Sequence, residues 1–527
     1  MTRTRLRNLH ALKERDTRRM MAVILGGKML GIVALLAVMK GFAWYFDSAA
    51  GAIASAPVHQ ANDFVSPINT VWVLVTAFLV FFMQAGFMAL EAGFARSREA
   101  VNVLLECVFD TCLCGVLWWA IGFAFMFGEG NGLIGHQFFF LHGMTDAYGT
   151  TSVAFLAFFL FQFAFADTAS TITSGAMVGR TSFKGDILYS TCVSGLIYPI
   201  FGHWVWGPGG WLATTMGWFH GLSGDAVFRD FAGSTVVHTV GGFIALAGAI
   251  VLGPRLGRKF KRDGGGPTSP HDLTIASIGA VILWFGWYGF NPGSTLSAMD
   301  WMGIGRVAAN TTLAACSGGL VSVLFVYPRS KKWDLGISLN GFLGGLVAIT
   351  APCYWVSPTG ALIIGAVAGI IVPLAVDLLE HLRIDDPIGA VPVHGVCGIW
   401  GTLAVGLFAT GQFGLPGADG PDTSTTITGL FFGGGTDQLI AQVIGSLTCI
   451  VVVTLVALII FRVINRIKGP WSLRVERDGE LEGLDLFEHG ITAYHMEFGH
   501  GVGYSTPPTL PAGTRTGSPT TPERESV

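Results

Sequence analysis

Between residues 68 and 466, long apolar stretches alternate with short polar ones. Crossing about 30 Å of hydrocarbon takes roughly 20 largely apolar residues in a helix. Eleven stretches are of that order: 68–95, 101–127, 152–177, 185–206, 232–253, 273–293, 306–327, 335–353, 358–380, 387–409 and 438–466. The pattern predicts an all-α polytopic membrane protein with eleven transmembrane helices. Ahead of them, a basic leader (Arg3, Arg5, Arg7, Lys13, Arg15, Arg18, Arg19) precedes an apolar segment at 29–46 and small residues up to Ala56. This reads either as a signal peptide, with Ala52-Ile53-Ala54 resembling a processing site, or as an extra helix that stays. Both deliver residue 57 to the outside. Past 466 the chain turns polar, and from 506 it is rich in Pro, Thr, Ser and Gly, the composition of a disordered tail. The expected organisation is an N-terminal extension at 1–56, a helical core at 57–466, a C-terminal region at 467–505 and a tail at 506–527.

Composition agrees with a bilayer as solvent: 51% of the 527 residues are hydrophobic, 12% are charged, and the mean hydropathy is +0.58. The 73 glycines and 39 phenylalanines suit helices packed closely around something narrow. Net charge is only −3, so it points to neither nucleic acid nor acidic partners, but the charges are not spread evenly. Loops after odd-numbered stretches carry Arg96, Arg98, Arg180, Lys184, Arg255, Arg258, Lys259, Lys261, Arg262, Arg329, Lys331, Lys332 and Arg383, whereas the others carry only Arg229 and Arg306. By the positive-inside rule the core begins outside and ends in the cytoplasm. The eight cysteines form no CxxC pair and no zinc-like Cys/His spacing, and they read as buried small hydrophobes.

An internal repeat carries the chemistry. Asp230-Phe-Ala-Gly-Ser-Thr-Val-Val-His238 and Asp386-Pro-Ile-Gly-Ala-Val-Pro-Val-His394 each set a histidine eight residues after an aspartate, at the heads of the fifth and tenth stretches. Five stretches separate the copies, so they run in opposite directions, the inverted-repeat arrangement in which sites form between the halves near the midplane. An ionisable side chain at membrane depth is costly enough to imply function. A lone histidine there is more often a packing residue, but a symmetry-related pair can meet at the bundle centre and form a donor/acceptor chain. Asp386 reads chiefly as a helix cap, and Asp230 as a cap that also orients carbonyls at a pore mouth and adds negative potential. Aromatic runs at Phe161-Gln-Phe163-Ala-Phe165, Trp204-Val-Trp206-Gly-Pro-Gly-Gly-Trp211 and Trp284-Phe-Gly-Trp287-Tyr-Gly-Phe290-Asn-Pro-Gly-Ser294 are either interfacial belts or the lining of a vestibule that attracts a small cation.

At these residues the sequence resembles the ammonium transporter family (Amt/Mep/Rh), on the Amt side, over about residues 66–500. The motifs are DFAGSTVVH (230–238), WFGWYGFNPGS (284–294), VPVHGVCGIWG (391–401) and GLDLFEHGITAYH (483–495). The resemblance implies a right-handed eleven-helix bundle of two inverted five-helix halves, one pore per subunit, a homotrimer in the cell membrane, no cofactor and no enzymatic activity. It implies that Trp206, Phe161 and Ser294 recruit ammonium with Asp230 behind them, that Phe165 and Phe290 gate the pore, and that Trp287, His238 and His394 line it. Transport is then expected to proceed by deprotonation and passage of ammonia, with a proton relay making it electrogenic. A PII-type regulatory protein at the cytoplasmic face is a further implied partner. One departure stands out. Many relatives have Glu-Arg at the end of the third stretch, and this chain has Gly179-Arg180. Two other classes compete: a b-type cytochrome with haem between the histidines, and a sensor whose tail is read by a cytoplasmic partner.

Overall fold

The computed structural model describes residues 65–494, apart from 215, 217–218, 267–268, 418–419, 423–425 and 470. The basic leader, the segment at 29–46 and the tail from 506 lie outside the described residues. The chain divides into two compact units, Met1–Ala493 and Tyr494–Val527, and the first is described here.

Helix α1 (Pro67–Phe94) starts where the Ser66 hydroxyl accepts the Asn69 amide and Pro67 occupies the first helical position, which needs no amide donor. Helix α2 (Ser97–Phe127) follows, then α3 (Phe155–Gly175), α4 (183–206), α5 (Ser234–Leu252), α6 (Leu273–Thr295), α7 (Trp301–Ser330), α8 (Leu335–Thr350), α9 (Pro358–Leu382), α10 (Val391–Phe408) and α11 (Asp437–Ile464). Among the described residues nine of these are long and apolar enough to cross a membrane. The other two are α8, apolar but only 16 residues long, and α4, which carries Lys184 and Asp186 in its first turn. Asp272, Asp300 and Asp334 accept backbone amides at the starts of α6, α7 and α8. The Asp300 cap explains why α7 begins five residues before the apolar stretch expected from 306. Conversely α10 begins at Val391, because Asp386 and Gly389 form the turn that leads into it.

The outside of the bundle is apolar, as a hydrocarbon solvent requires. Leu447, Val451, Leu455, Ile459 and Val463 recur every fourth residue along α11 and are all exposed. On the face where the basic loops lie, the segment after α11 ties three loops together. The Ser182 amide donates to the Leu473 carbonyl, Arg474 donates to the carbonyls of Leu252 and Pro254, and the Asn102 amide donates to the Asp485 carboxylate. Two short helices follow, α12 (Arg477–Glu482) and α13 (Leu484–His489), and the second carries Asp485.

The same face holds a buried ion-pair knot. The Asp385 carboxylate accepts from the Arg255 amide, Nε and Nη2 at 3.0, 2.8 and 2.9 Å, while Arg258 bridges Asp385 and Glu380. Burial alone raises the Asp385 carboxyl, but the hydrogen bonds and charge of Arg255, with Arg180 nearby, hold it well below the usual carboxylate range. A depressed acid contributes stability above its unfolded value near 4 and loses it only as pH falls through its folded value. Asp385→Ala is therefore expected to cost about 3–5 kcal/mol, because breaking a buried pair leaves a guanidinium uncompensated. Thermal melting in detergent should show a lowered midpoint, with the same deficit at every pH from about 5 to 8.

At Gly179 the backbone has φ +82°, and a Cβ there would sit 2.7 Å from the Glu99 carboxylate. Glu99 is fully buried and pairs with Arg96. In this chain a carboxylate thus reaches the end of the third span from the first turn of α2, and Arg180 donates instead to the carbonyls of Gly253 and Asp385.

Candidate functional site

The two copies of the repeat fold alike. The Asp230 carboxylate accepts the amides of Gly233, Thr235 and Val236 at 2.8, 2.8 and 2.9 Å. The Asp386 carboxylate accepts those of Gly389, Ala390 and Val391 at 2.9, 3.1 and 2.9 Å. Both turns need a left-handed residue, and glycine provides it, at φ 115° in Gly233 and 86° in Gly389. Burial pushes the Asp230 carboxyl up to about 6, against the opposing pull of the donated amides. After each turn the helix opens with a wide π turn, Ser234–Thr239 and Val391–Val396, and each π turn carries the histidine. Such turns are rare and often mark functional positions.

Helices α5 and α10 then meet backbone to backbone, since a Cβ on Gly242 would lie 2.3 Å from the Gly395 nitrogen. This approach brings His238 Nδ1 to 3.2 Å from His394 Nδ1, with ring planes at 27°. One nitrogen donates and the other accepts. No macrocycle fits between rings in direct hydrogen-bond contact, which removes the cytochrome reading. His238 is fully buried, and among the described residues its Nε2 has no hydrogen-bond partner.

Above the histidines stands a column of rings. His238 stacks on Trp287 at 5.1 Å and on Phe290 at 5.4 Å, and Phe290 stacks on Phe165 at 4.0 Å and 19°. Phe165 in turn meets Phe161 at 4.7 Å and the edge of Trp206 at 6.1 Å. Trp206 donates its Nε1 hydrogen to the Asp230 carbonyl at 2.8 Å, so the aspartate fixes the vestibule ring through its backbone while its side chain caps the helix. Ser294 donates to the Phe290 carbonyl at 2.8 Å, which leaves its oxygen able to accept. The nine residues singled out from sequence are thus joined in one chain of contacts. Their aromatic neighbours are not: Trp204 donates to the Leu133 carbonyl and packs on Trp211, and Trp284 packs on Phe342.

Other residues of the site gave no signal of their own in the sequence. Thr350 accepts the Trp287 indole hydrogen at 2.9 Å and so sets that ring against His238. The Ser234 hydroxyl donates to the Val347 carbonyl and accepts the Ala351 amide, tying the π turn of α5 to α8. On the far side of the histidines, a small, partly open cavity is lined by Phe87, Glu91, Asn340, Val393 and His394 among others. Threonines and serines are common in helices, and their partners come from helices remote in sequence, so only the fold reveals these roles.

The profile of the Ammonium Transporter Family matches residues 71–494. Ammonium transporter Amt2 of Archaeoglobus fulgidus is 42% identical over 430 residues, covering 81% of this chain and 88% of the relative. Among solved structures, one titled Sensor Amt Protein is 36% identical with a TM-score of 0.69, covering 80% of this chain and 98% of its own. Mep2 of Saccharomyces cerevisiae is 28% identical with a TM-score of 0.70, covering 79% and 92%.

Proposed function

The chain belongs to the Ammonium Transporter Family and is a multi-pass membrane protein whose family membership supports ammonium transport; on that premise we propose how its residues carry it out. Ammonium is recruited between Trp206, Phe161 and Ser294, gives up a proton at the Phe165/Phe290 stack, and crosses as ammonia past Trp287, His238 and His394. Energetics favour this order. A bare cation in hydrocarbon costs tens of kcal/mol by Born arguments, and each aromatic face returns about 0.5–2 kcal/mol. A cation can therefore be held at the mouth but does not continue intact through a pore whose walls are rings and aliphatic groups. Potassium has no proton to lose and stops at the same point.

The single observation that carries the reading is the unpartnered His238 Nε2, fully buried at the foot of the aromatic column while its other ring nitrogen bonds His394. A buried polar atom without a partner is costly, and a small molecule with both donor and acceptor capacity satisfies it. The proton travels separately through the histidine pair, which makes transport electrogenic. The active form is a homotrimer in the cell membrane, with the core beginning outside. The basic loops and the segment carrying α12 and α13 then face the cytoplasm, where a PII-type protein would dock.

Purified protein on solid-supported membranes should give a current after an ammonium pulse and none after a matched potassium pulse. Current with both ions would overturn the selectivity argument. Silence with both, in protein that binds ammonium, would favour electroneutral passage or a sensor.

A further inference from the structure

One carboxyl group at membrane depth shares a cavity with His394 and has no part in the path above. Glu91, on α1, is 3% exposed and lines the cavity beyond His394. Among the described residues its carboxylate accepts from the Ser174 hydroxyl on α3, at 3.3 Å to Oε2. Among the described residues no arginine or lysine forms an ion pair with it. The titratable groups around it are Asp186 on α4, Glu106 and Cys107 on α2, and His394 on α10. A carboxylate held in a membrane interior with acids for neighbours and no cation is costly to keep for packing alone. Asn340, which also lines the cavity, is committed to the Ile388 carbonyl.

The geometry points to Glu91 as the group that takes the proton from the histidine pair and hands it to the cytoplasm. This rests on the transport reading above. An N–H bond of ammonium breaks at the gate and the proton reaches the imidazoles. A Glu91 oxygen then accepts it from the His394 side, forming a carboxylic O–H, and that bond breaks when cytoplasmic water takes the proton. Ammonia leaves through the same cavity. Ser174, which also donates to the Thr171 carbonyl, orients the carboxyl toward the cavity. Behind it, Gln84 donates to Thr171 and Thr111, and Thr111 donates to Asp167, so α1, α2 and α3 are locked around Glu91 by polar contacts.

The experiment compares wild type, Glu91→Gln and Glu91→Asp on solid-supported membranes from pH 5 to 8, each checked for monodisperse elution. Glutamine keeps the volume and an acceptor for Ser174 but cannot carry a proton. Its ammonium-evoked current should fall at least tenfold and lose its pH dependence, while aspartate keeps a pH-dependent current. The inference is overturned if glutamine retains the wild-type current and profile, or if aspartate loses both as glutamine does. Should the glutamine variant not elute intact, Glu91→His takes its place, and an absent or pH-independent current there overturns the inference too. A wild type without any ammonium current would overturn the inference along with the electrogenic reading it rests on. A wild-type current that Glu91→Gln leaves unchanged would sink the inference alone.

Discussion

Ammonium-evoked current is expected to fall at least tenfold when His238 and His394 are both replaced by leucine. In the proposed path the pair is the polar station among Trp287, Phe290 and Phe165, and its Nδ1 atoms meet at 3.2 Å. Passing a polar solute through an apolar stretch without a hydrogen-bond partner costs about 2–7 kcal/mol, and each 1.4 kcal/mol is a factor of ten. Leucine fills a similar volume without a titratable group, so the double variant should elute and melt close to wild type while its current is lost. A single His394→Leu variant removes the imidazole that lines the cavity with Glu91 and leaves His238 stacked on Phe290; under the proposed relay it should lose current to a similar extent, because a relay with one member missing is broken. An unchanged current in the double variant would show that neither imidazole handles the proton.

Substitution of Asp230 should separate folding from electrostatics. Alanine abandons three buried amides and removes the anchor of the turn that holds Trp206, so a loss of about 3 kcal/mol or more is expected. Asparagine keeps an oxygen for the Thr235 and Val236 amides, which both donate to Oδ2 in the native turn; it removes the charge and, with an NH2 in place of Oδ1, the acceptor of the Gly233 amide. Asp230→Asn should therefore fold, keep Trp206 in place, and bind ammonium at least tenfold more weakly, since the negative potential behind the vestibule is gone. The wild type should show the same effect through pH. Burial sets the Asp230 carboxyl at about 6, so the group takes a proton as pH falls through that region and apparent affinity for ammonium weakens below it. Ammonium titrations between pH 5 and 8 check this, and an Asp230→Asn variant with wild-type affinity would contradict it.

The apolar pattern located the helices within a few residues because hydrocarbon imposes length and composition on each crossing. The pattern failed where the ends are set by hydrogen bonds: Asp300 starts α7 early, and the Asp386 turn delays α10. The histidines were legible because a spacing of eight from an aspartate occurs twice, and the inverted repeat turned two ambiguous residues into one pair. Which aromatics line the path was not legible from frequency. Trp204 and Trp206 are two residues apart, yet the first satisfies the Leu133 carbonyl in the loop after α2 and the second the Asp230 carbonyl ahead of α5. Nor was Glu91 legible, since a single acid inside an apolar run has no periodic partner to mark it.

The bond between the histidines joins two like atoms, Nδ1 to Nδ1. Two helices that start with the same turn, and that run in opposite senses, present the same nitrogen to each other, and only one hydrogen fits between them. The backbone is near-symmetric about this point, but the proton cannot be. At any instant one half of the molecule is the donor and the other the acceptor, so the pore has a polarity written in a single hydrogen rather than in its fold.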